Sequence, residues 1–370
     1  MGCCDTLPAS TAAQTTEPTT TTITPDALRR RTVLKGMLAG MVGLSLGGSS
    51  LGFAQRRGDR IRLAFCSQLL CVVPYEFTQA QGFFEDEGLD VELVYTRGGN
   101  AAMQALVGGA VDYAATSFDV ALQAFANNAD IRRFATTGRL PLFALAVAPK
   151  NADTITEVSD LAGTTVGVSA LGNADHAMLL YLLAQAGVDA NSVRFATLGP
   201  NLYDALRIGQ IDAGMVQEPA LSLLADQGGR ELVNAMKIED AERYLGGAYE
   251  FMGVAYRTEE REERLEQMQA LARALSGGLR AVKAASTREI VDALPSELIA
   301  GGDTAQLETI LETYRGSLYP DTVAIDYDTC DRVQQAHLTA GILDAPIDLD
   351  TLLDEEVIGQ TEGVGESVGG

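Results

Sequence analysis

Ala105-Leu106-Val107-Gly108-Gly109-Ala110-Val111-Asp112 is echoed about one hundred residues later by Ala205-Leu206-Arg207-Ile208-Gly209-Gln210-Ile211-Asp212. In each copy a helical stretch ends at glycine, and an apolar strand follows Asp112 or Asp212 before a polar turn. The likeness extends outward, because the helix-ending Gly88-Leu89-Asp90 has a counterpart in Gly187-Val188-Asp189. One structural unit is used twice. The doubling predicts an α/β chain of two similar lobes facing each other across a cleft, an arrangement suited to holding a small molecule.

The elements around the repeat fit that plan. Strands are expected at residues 61–66, 91–95 and 111–115, with helices at 74–87 and 101–107 between them, which is the order of a parallel sheet with covering helices. A further strand is expected at 133–136. The apolar run Leu142 to Ala148 is expected to lead out of the first lobe, and polar Lys150 to Thr156 to form a hinge. The second copy then predicts strands at 165–169, 193–198 and 213–216 with helices at 175–186 and 202–208. Phe251 to Tyr256 is expected to carry the chain back toward lobe one, followed by an amphipathic helix over 259–285 and helices at 287–294, 304–318 and 328–340. The domain plan is therefore lobe I from 58–149 and 250–345, lobe II from 150–249, and a C-terminal tail over 346–370 with a disordered end.

Residues 1–54 read as an export leader. A Thr- and Ser-rich lead gives way to Arg29-Arg30-Arg31-Thr32-Val33-Leu34-Lys35, an apolar run from Met37 to Leu51, and small residues up to Ala54. The paired arginines resemble a twin-arginine signal. An uncleaved membrane anchor is the alternative, against which stands a glycine-rich apolar run shorter than the roughly 20 residues a span needs. The expected location is the periplasm or cell surface.

Fifty Asp and Glu against 27 Lys and Arg give a net charge of -23, so nucleic acid is not an expected partner. His176 and His337 are the only histidines, which limits hydrolase schemes that need a histidine base. Beyond the leader stand Cys66, Cys71 and Cys330. Their odd number and the lack of a CxxC spacing predict buried free thiols, with neither a disulfide framework nor a metal site.

Ligands of open α/β sheets sit beyond the carboxyl ends of the strands, where helix N-termini direct backbone N–H groups. In lobe one those positions hold Ser67, Gln68 and Tyr75, then Gly98, Gly99 and Asn100, then Thr116 and Ser117. In lobe two they hold Ser169, Asn173 and His176, then Asn201, then Gln217 and Glu218. Hydroxyls and amides beside glycines suit an anion held by backbone donors. Each of the small polar residues also reads as a simple helix cap, His176 as a structural histidine, and Glu218 as either a partner for a ligand amine or a helix-dipole acid. Arg97 and Arg139 are the basic residues nearest this set.

Gly82-Phe83-Phe84-Glu85-Asp86-Glu87-Gly88-Leu89-Asp90-Val91-Glu92-Leu93-Val94, the Gly98-Gly99-Asn100 turn, the two Gly-x-Val/Ile-Asp repeats and Asp160-Leu161-Ala162-Gly163-Thr164-Thr165-Val166-Gly167-Val168 resemble solute-binding proteins of ABC importers for nitrate, sulfonates, taurine and thiamine-pyrimidine precursors. The similarity covers roughly residues 60–340. It implies a type II periplasmic-binding fold with mixed, mostly parallel sheets, a hinge and added C-terminal helices. It further implies a non-enzymatic monomer that hands a small solute to a membrane permease and its ATPase, with no cofactor. The chain has no tryptophan for stacking a pyrimidine, so a small anion or sulfonate-like acid is the expected ligand. A pyrimidine precursor, a pyrimidine-synthesis enzyme and a ligand-sensing module remain as alternatives on the same fold.

Overall fold

Ten strands form two five-stranded sheets in the computed structural model, which describes residues 60–299 and 303–359. The expected export leader and the tail end beyond residue 359 lie outside the described residues. In lobe I the strands are β1 (Ile61–Cys66), β2 (Val91–Thr96), β3 (Tyr113–Ser117) and β4 (Ile131–Thr136), and in lobe II β5 (Ala144–Val147), β6 (Thr165–Val168), β7 (Arg194–Thr197), β8 (Ala213–Val216) and β9 (Arg230–Asn234). The last strand, β10 (Met252–Arg257), returns to lobe I. The sheet orders are β2-β1-β3-β10-β4 and β7-β6-β8-β5-β9. Near-continuous apolar runs such as Ile61–Cys66 are what a strand needs when helices cover both of its faces.

The two sheets repeat one design, as the doubled sequence predicts. β1 runs parallel to β2 and β3, and β6 runs parallel to β7 and β8. In each sheet one strand is inserted antiparallel: β10 between β3 and β4, and β5 between β8 and β9. This placement corrects the expected hinge. Leu142–Ala148 does not end lobe I, because β5 already pairs inside the second sheet, and Pro149–Asn151 is a short 3-10 turn of lobe II. The crossings are residues 137–143 and 235–251. A four-residue apolar run carries no mark of which sheet it joins, since antiparallel insertion depends on partners far along the chain.

The helices are α1 (Leu69–Ala80), α2 (Phe83–Asp86), α3 (Gly99–Val107) and α4 (Phe118–Ala126) on lobe I, then α5 (Ala174–Gln185), α6 (Leu202–Arg207), α7 (Ala220–Ala225) and α8 (Ile238–Asp240) on lobe II. After β10 come α9 (Arg261–Ala284), α10 (Thr287–Ala293), α11 (Ser296–Ile299), α12 (Thr304–Leu318), α13 (Tyr327–Thr339), α14 (Leu349–Leu352) and α15 (Glu356–Gly359). α1 begins five residues before the expected Pro74, which lies inside the helix. α9 packs on α1 and α2 through Gly277 and Gly278. A Cβ at Gly278 would overlap Thr78 Oγ1, so glycine there permits the close approach of the two helices.

Residues 346–359, expected to be tail, are folded onto lobe I. Asp354, buried at 1% side-chain exposure, accepts hydrogen bonds from Arg261 Nε at 2.6 Å and Tyr256 Oη at 2.5 Å. Leu353 forms a bridge with Arg133 of β4. Two C-terminal helices also reach the second lobe: α13 packs against both α4 and α5, and Tyr314 of α12 accepts a 3.0 Å hydrogen bond from Asn234 Nδ2.

Candidate functional site

Four helices begin at one pocket between the lobes. Its wall includes Gln68, Gly98, Ser117 and Asn173, the N-cap residues of α1, α3, α4 and α5. Each helix start leaves backbone N–H groups without intrahelical acceptors, and the aligned peptide dipoles add partial positive charge there. Three of the starts belong to lobe I and one to lobe II. The pocket opens to solvent, and about 450 Å³ of empty space lies along its walls.

Side chains add donors to this backbone set. Thr116 is 1% exposed, lines the pocket, and has an Oγ1 without a hydrogen-bond partner. Gln217, on the opposite lobe, likewise lines the pocket and has a buried, unpartnered Nε2. Buried polar atoms are almost always satisfied, so two orphans facing one space point to a ligand that supplies the missing bonds. Arg97 stands exposed at the same wall and forms no ion pair among the described residues. Gly98, at φ +129°, adopts a backbone conformation reserved for glycine and lies so close to lobe II that a Cβ would be 3.2 Å from Asn173 Nδ2. Asn100 N–H donates to Asn173 Oδ1 at 3.4 Å, a hydrogen bond between the lobes.

Asn173 is held from behind, donating through Nδ2 to Ser169 Oγ at 3.0 Å. Ser169 in turn donates through Oγ to Asp175 Oδ1 at 2.7 Å and through its backbone N–H to Oδ2 at 2.5 Å. Burial pushes the Asp175 carboxyl above the usual range, against the lowering effect of the Ser169 bonds. Phe143 and Phe251, one on each lobe crossing, meet edge to face with centroids 5.7 Å apart, and both line the pocket.

A second compartment adjoins the first, sharing Gln68, Phe143, Ser169, Asp175 and Gln217, and holds about 850 Å³ of empty space. Ser67, Tyr203, Met215, Glu218, Pro219 and Leu298 are among its walls. Ser67 Oγ donates to Thr96 O at 2.7 Å. Glu218 accepts from Ser222 N–H at 3.1 Å and Ser222 Oγ at 3.0 Å, and burial raises its carboxyl above the ordinary value.

Ten of the fourteen sequence candidates line these two compartments: Ser67, Gln68, Gly98, Gly99, Thr116, Ser117, Ser169, Asn173, Gln217 and Glu218. Asn100 stands beside them and binds Asn173. Three candidates point elsewhere. Tyr75 is fully buried in the lobe I core, its hydroxyl 2.6 Å from Thr137 Oγ1, because the helix starts earlier than expected and turns residue 75 inward. His176 sits against the Phe195 ring, accepts at Nδ1 from Gly172 N–H at 3.2 Å, and is lowered in pKa by burial. Asn201 is exposed in a 3-10 turn and makes no cap bond. Arg139 is likewise turned away from the cleft, donating to the carbonyls of Ser317 at 3.0 Å and Gly316 at 2.8 Å.

The sequence reading missed Phe143 and Phe251, each at the end of a lobe crossing, and Met252, the first residue of β10, all of which line the pocket. It also misjudged the cysteines: Cys66 and Cys71 are joined as a disulfide with Cα atoms 6.4 Å apart, and both line the pocket. A separation of five residues spans from strand end to the first turn of α1, close enough in space to bridge. Among the described residues Cys330 is the buried free thiol, raised in pKa by burial.

The family model described as NMT1/THI5 like matches residues 72–285. The chain belongs to the NMT1/THI5-like family. Among solved structures, this NMT1/THI5-like chain is similar to a Bordetella bronchiseptica RB50 protein at 27% identity and TM-score 0.74, over 82% of this chain and 96% of that one. It is similar to the alkanesulfonate-binding protein SsuA from Xanthomonas axonopodis pv. citri, solved with MOPS bound, at 18% identity and TM-score 0.63, over 80% and 98% of the two chains. For the periplasmic nitrate-binding protein NrtA from Synechocystis PCC 6803 the values are 14%, 0.64, 80% and 86%. The desulfurization enzyme DSZB shares the fold too, at 18% identity and TM-score 0.57, over 82% and 99%. No curated protein matches the chain. The architecture of this family member is thus that of periplasmic binding proteins. Among its described residues, no helix is long and apolar enough to cross a membrane.

Proposed function

We propose that this chain is the exported solute-binding component of an ABC importer, capturing a small anionic solute in the interlobe cleft and presenting it to a permease. One observation carries the reading: four helix N-termini, drawn from both lobes, converge with the unpartnered Thr116 Oγ1 and Gln217 Nε2 on one pocket. An anion there binds both lobes at once, so occupancy favours the closed arrangement, and a permease that distinguishes the two arrangements reads the solute's presence. Likeness to sulfonate- and nitrate-binding proteins supports the ligand class. An enzymatic reading has less support in the pocket itself. Its two cysteines are joined to each other, and neither histidine lines it.

Native mass spectrometry of the protein purified without refolding, followed by a thermal-shift screen of alkanesulfonates, nitrate, bicarbonate and pyrimidines, tests the proposal. A retained or stabilising small acid is the expected result. Stabilisation by pyrimidines alone, or turnover of any of these compounds, would overturn it.

A further inference from the structure

The Cys66–Cys71 bridge belongs to the wall of the pocket itself. Cys66 ends β1 and Cys71 lies in the first turn of α1, so the bridge brackets Ser67, which lines the larger compartment, and Gln68, which lines both. Three of the four helix starts at the pocket are held by hydrogen bonds. Thr96 Oγ1 donates to Gly98 O at 3.0 Å, Ser117 Oγ accepts from Val120 N–H at 3.4 Å, and Asn173 is bound to Ser169. At α1 the Gln68 side chain makes no cap bond, and the covalent link between its neighbours constrains the loop instead. The helix just beyond is fixed separately, by Tyr319 Oη donating to Leu70 O at 2.8 Å. The two cysteines are only 6% and 3% exposed, yet both line the pocket, so the cleft is the approach to them.

Resting on the anionic-solute reading above, we propose that Cys66 and Cys71 form a redox site coupled to solute capture: the disulfide form holds the solute, and reduction by a dithiol weakens that hold. A thiolate of the reductant attacks Cys66 Sγ, forming a mixed disulfide and breaking the bond to Cys71. Cys71 leaves as a thiolate in the first turn of α1, where the helix dipole favours negative charge. The second thiol of the reductant then attacks the reductant's own sulfur in the mixed disulfide, so the reductant departs as a cyclic disulfide and Cys66 is released. Each cysteine takes up a proton, and two electrons and two protons have passed from the dithiol to the pair. Two thiol sulfurs cannot stay as close as two bonded ones, so reduction moves the wall at Gln68 and restores backbone freedom there. A solute in the pocket also stands in the path of the attacking thiolate. In an exported chain, capture therefore follows oxidation of the pair, which compartments outside the cytosol favour.

The full-length protein, equilibrated in mixtures of reduced and oxidised dithiothreitol, is quenched with acid and alkylated, and the peptide carrying Cys66 and Cys71 is quantified. The titration is run with and without saturating propane-1-sulfonate, nitrate or another small acid that stabilises the protein in the screen above. Calorimetry with the same probe compares the two redox states. The reduced protein is expected to bind about tenfold more weakly, the loss that follows when one wall residue regains its backbone freedom. By linkage, saturating probe then lowers the reduction potential of the pair by the equivalent of that factor, about 30 mV. Cys66→Ser/Cys71→Ser should match the reduced protein in affinity and lose all response to dithiothreitol. Free thiols at both positions in fully oxidised dithiothreitol, reduction that needs denaturant, or equal or tighter binding by the reduced protein would each overturn the proposal while leaving the anion reading in place. If no small acid binds in either state, both readings fall together. The wild-type comparison stands as a test even if the variant folds poorly.

Discussion

Replacing Arg133 with methionine removes the centre of a buried network that holds the pocket wall from behind. Arg133 and Glu250 are each 1% exposed and form an ion pair through Nη2 and Oε1. The same guanidinium donates to Thr116 O at 3.3 Å and Phe251 O at 3.0 Å, the carbonyls of two pocket residues, and lies 5.3 Å above the Phe118 ring. Without it Glu250 keeps only the Thr136 Oγ1 hydrogen bond at 2.7 Å, and two buried carbonyls lose a donor. Removing one member of a buried pair typically costs about 3–5 kcal/mol. At about 2 °C per kcal/mol for a chain of this size, the melting temperature should fall by roughly 6–10 °C.

Burial already pushes the Glu250 carboxyl up, with Arg133 opposing. In Arg133→Met that opposition is gone, so the carboxyl takes up a proton more readily and the destabilisation eases as pH is lowered. For the same reason Arg133→Met/Glu250→Gln should be more stable than the sum of the single changes, with a coupling of about 1–3 kcal/mol. Denaturant unfolding of the four proteins at two pH values, alongside titration with the solute, measures all of this. A loss below about 1 kcal/mol for Arg133→Met, or additive single changes, would refute the reasoning.

Gly98→Ala forces a side chain into a φ of +129° and places its Cβ 3.2 Å from Asn173 Nδ2. It should cost about 1–3 kcal/mol in stability and also weaken solute binding, because the start of α3 must move; chemical unfolding and titration check both. Asp354→Asn should cost about 3 kcal/mol at neutral pH by weakening the bonds from Arg261 and Tyr256. Burial alone would raise the Asp354 carboxyl, but those hydrogen bonds and the charges of Arg132 and Arg261 hold it below its ordinary 3.8. Its stabilisation is therefore complete above that value and fades as pH falls through the depressed one, so melting curves of wild type and variant should converge in acid.

The sequence by itself determined the doubled architecture and most of the residues that stand at the strand ends along the cleft. Apolar periodicity, helix-ending glycines and the repeat at Ala105–Asp112 and Ala205–Asp212 are local signals, set by backbone geometry within a few residues. The rule that ligands collect at strand ends then placed Gly98, Thr116, Ser117, Asn173 and Gln217 at one cleft, because parallel strands bring their ends together whatever the side chains. Tertiary structure alone decided which sheet β5 joins, that both lobe crossings bring Phe143 and Phe251 to the pocket, and that Cys66 and Cys71 meet. It also turned Tyr75 into the core and His176 away from the pocket, since one register step on a helix swings a side chain by about a quarter turn. Side-chain direction and pairing partners depend on packing between distant segments, and the close approach of Gly98 and Asn100 to Asn173 exists only once the lobes have folded against each other.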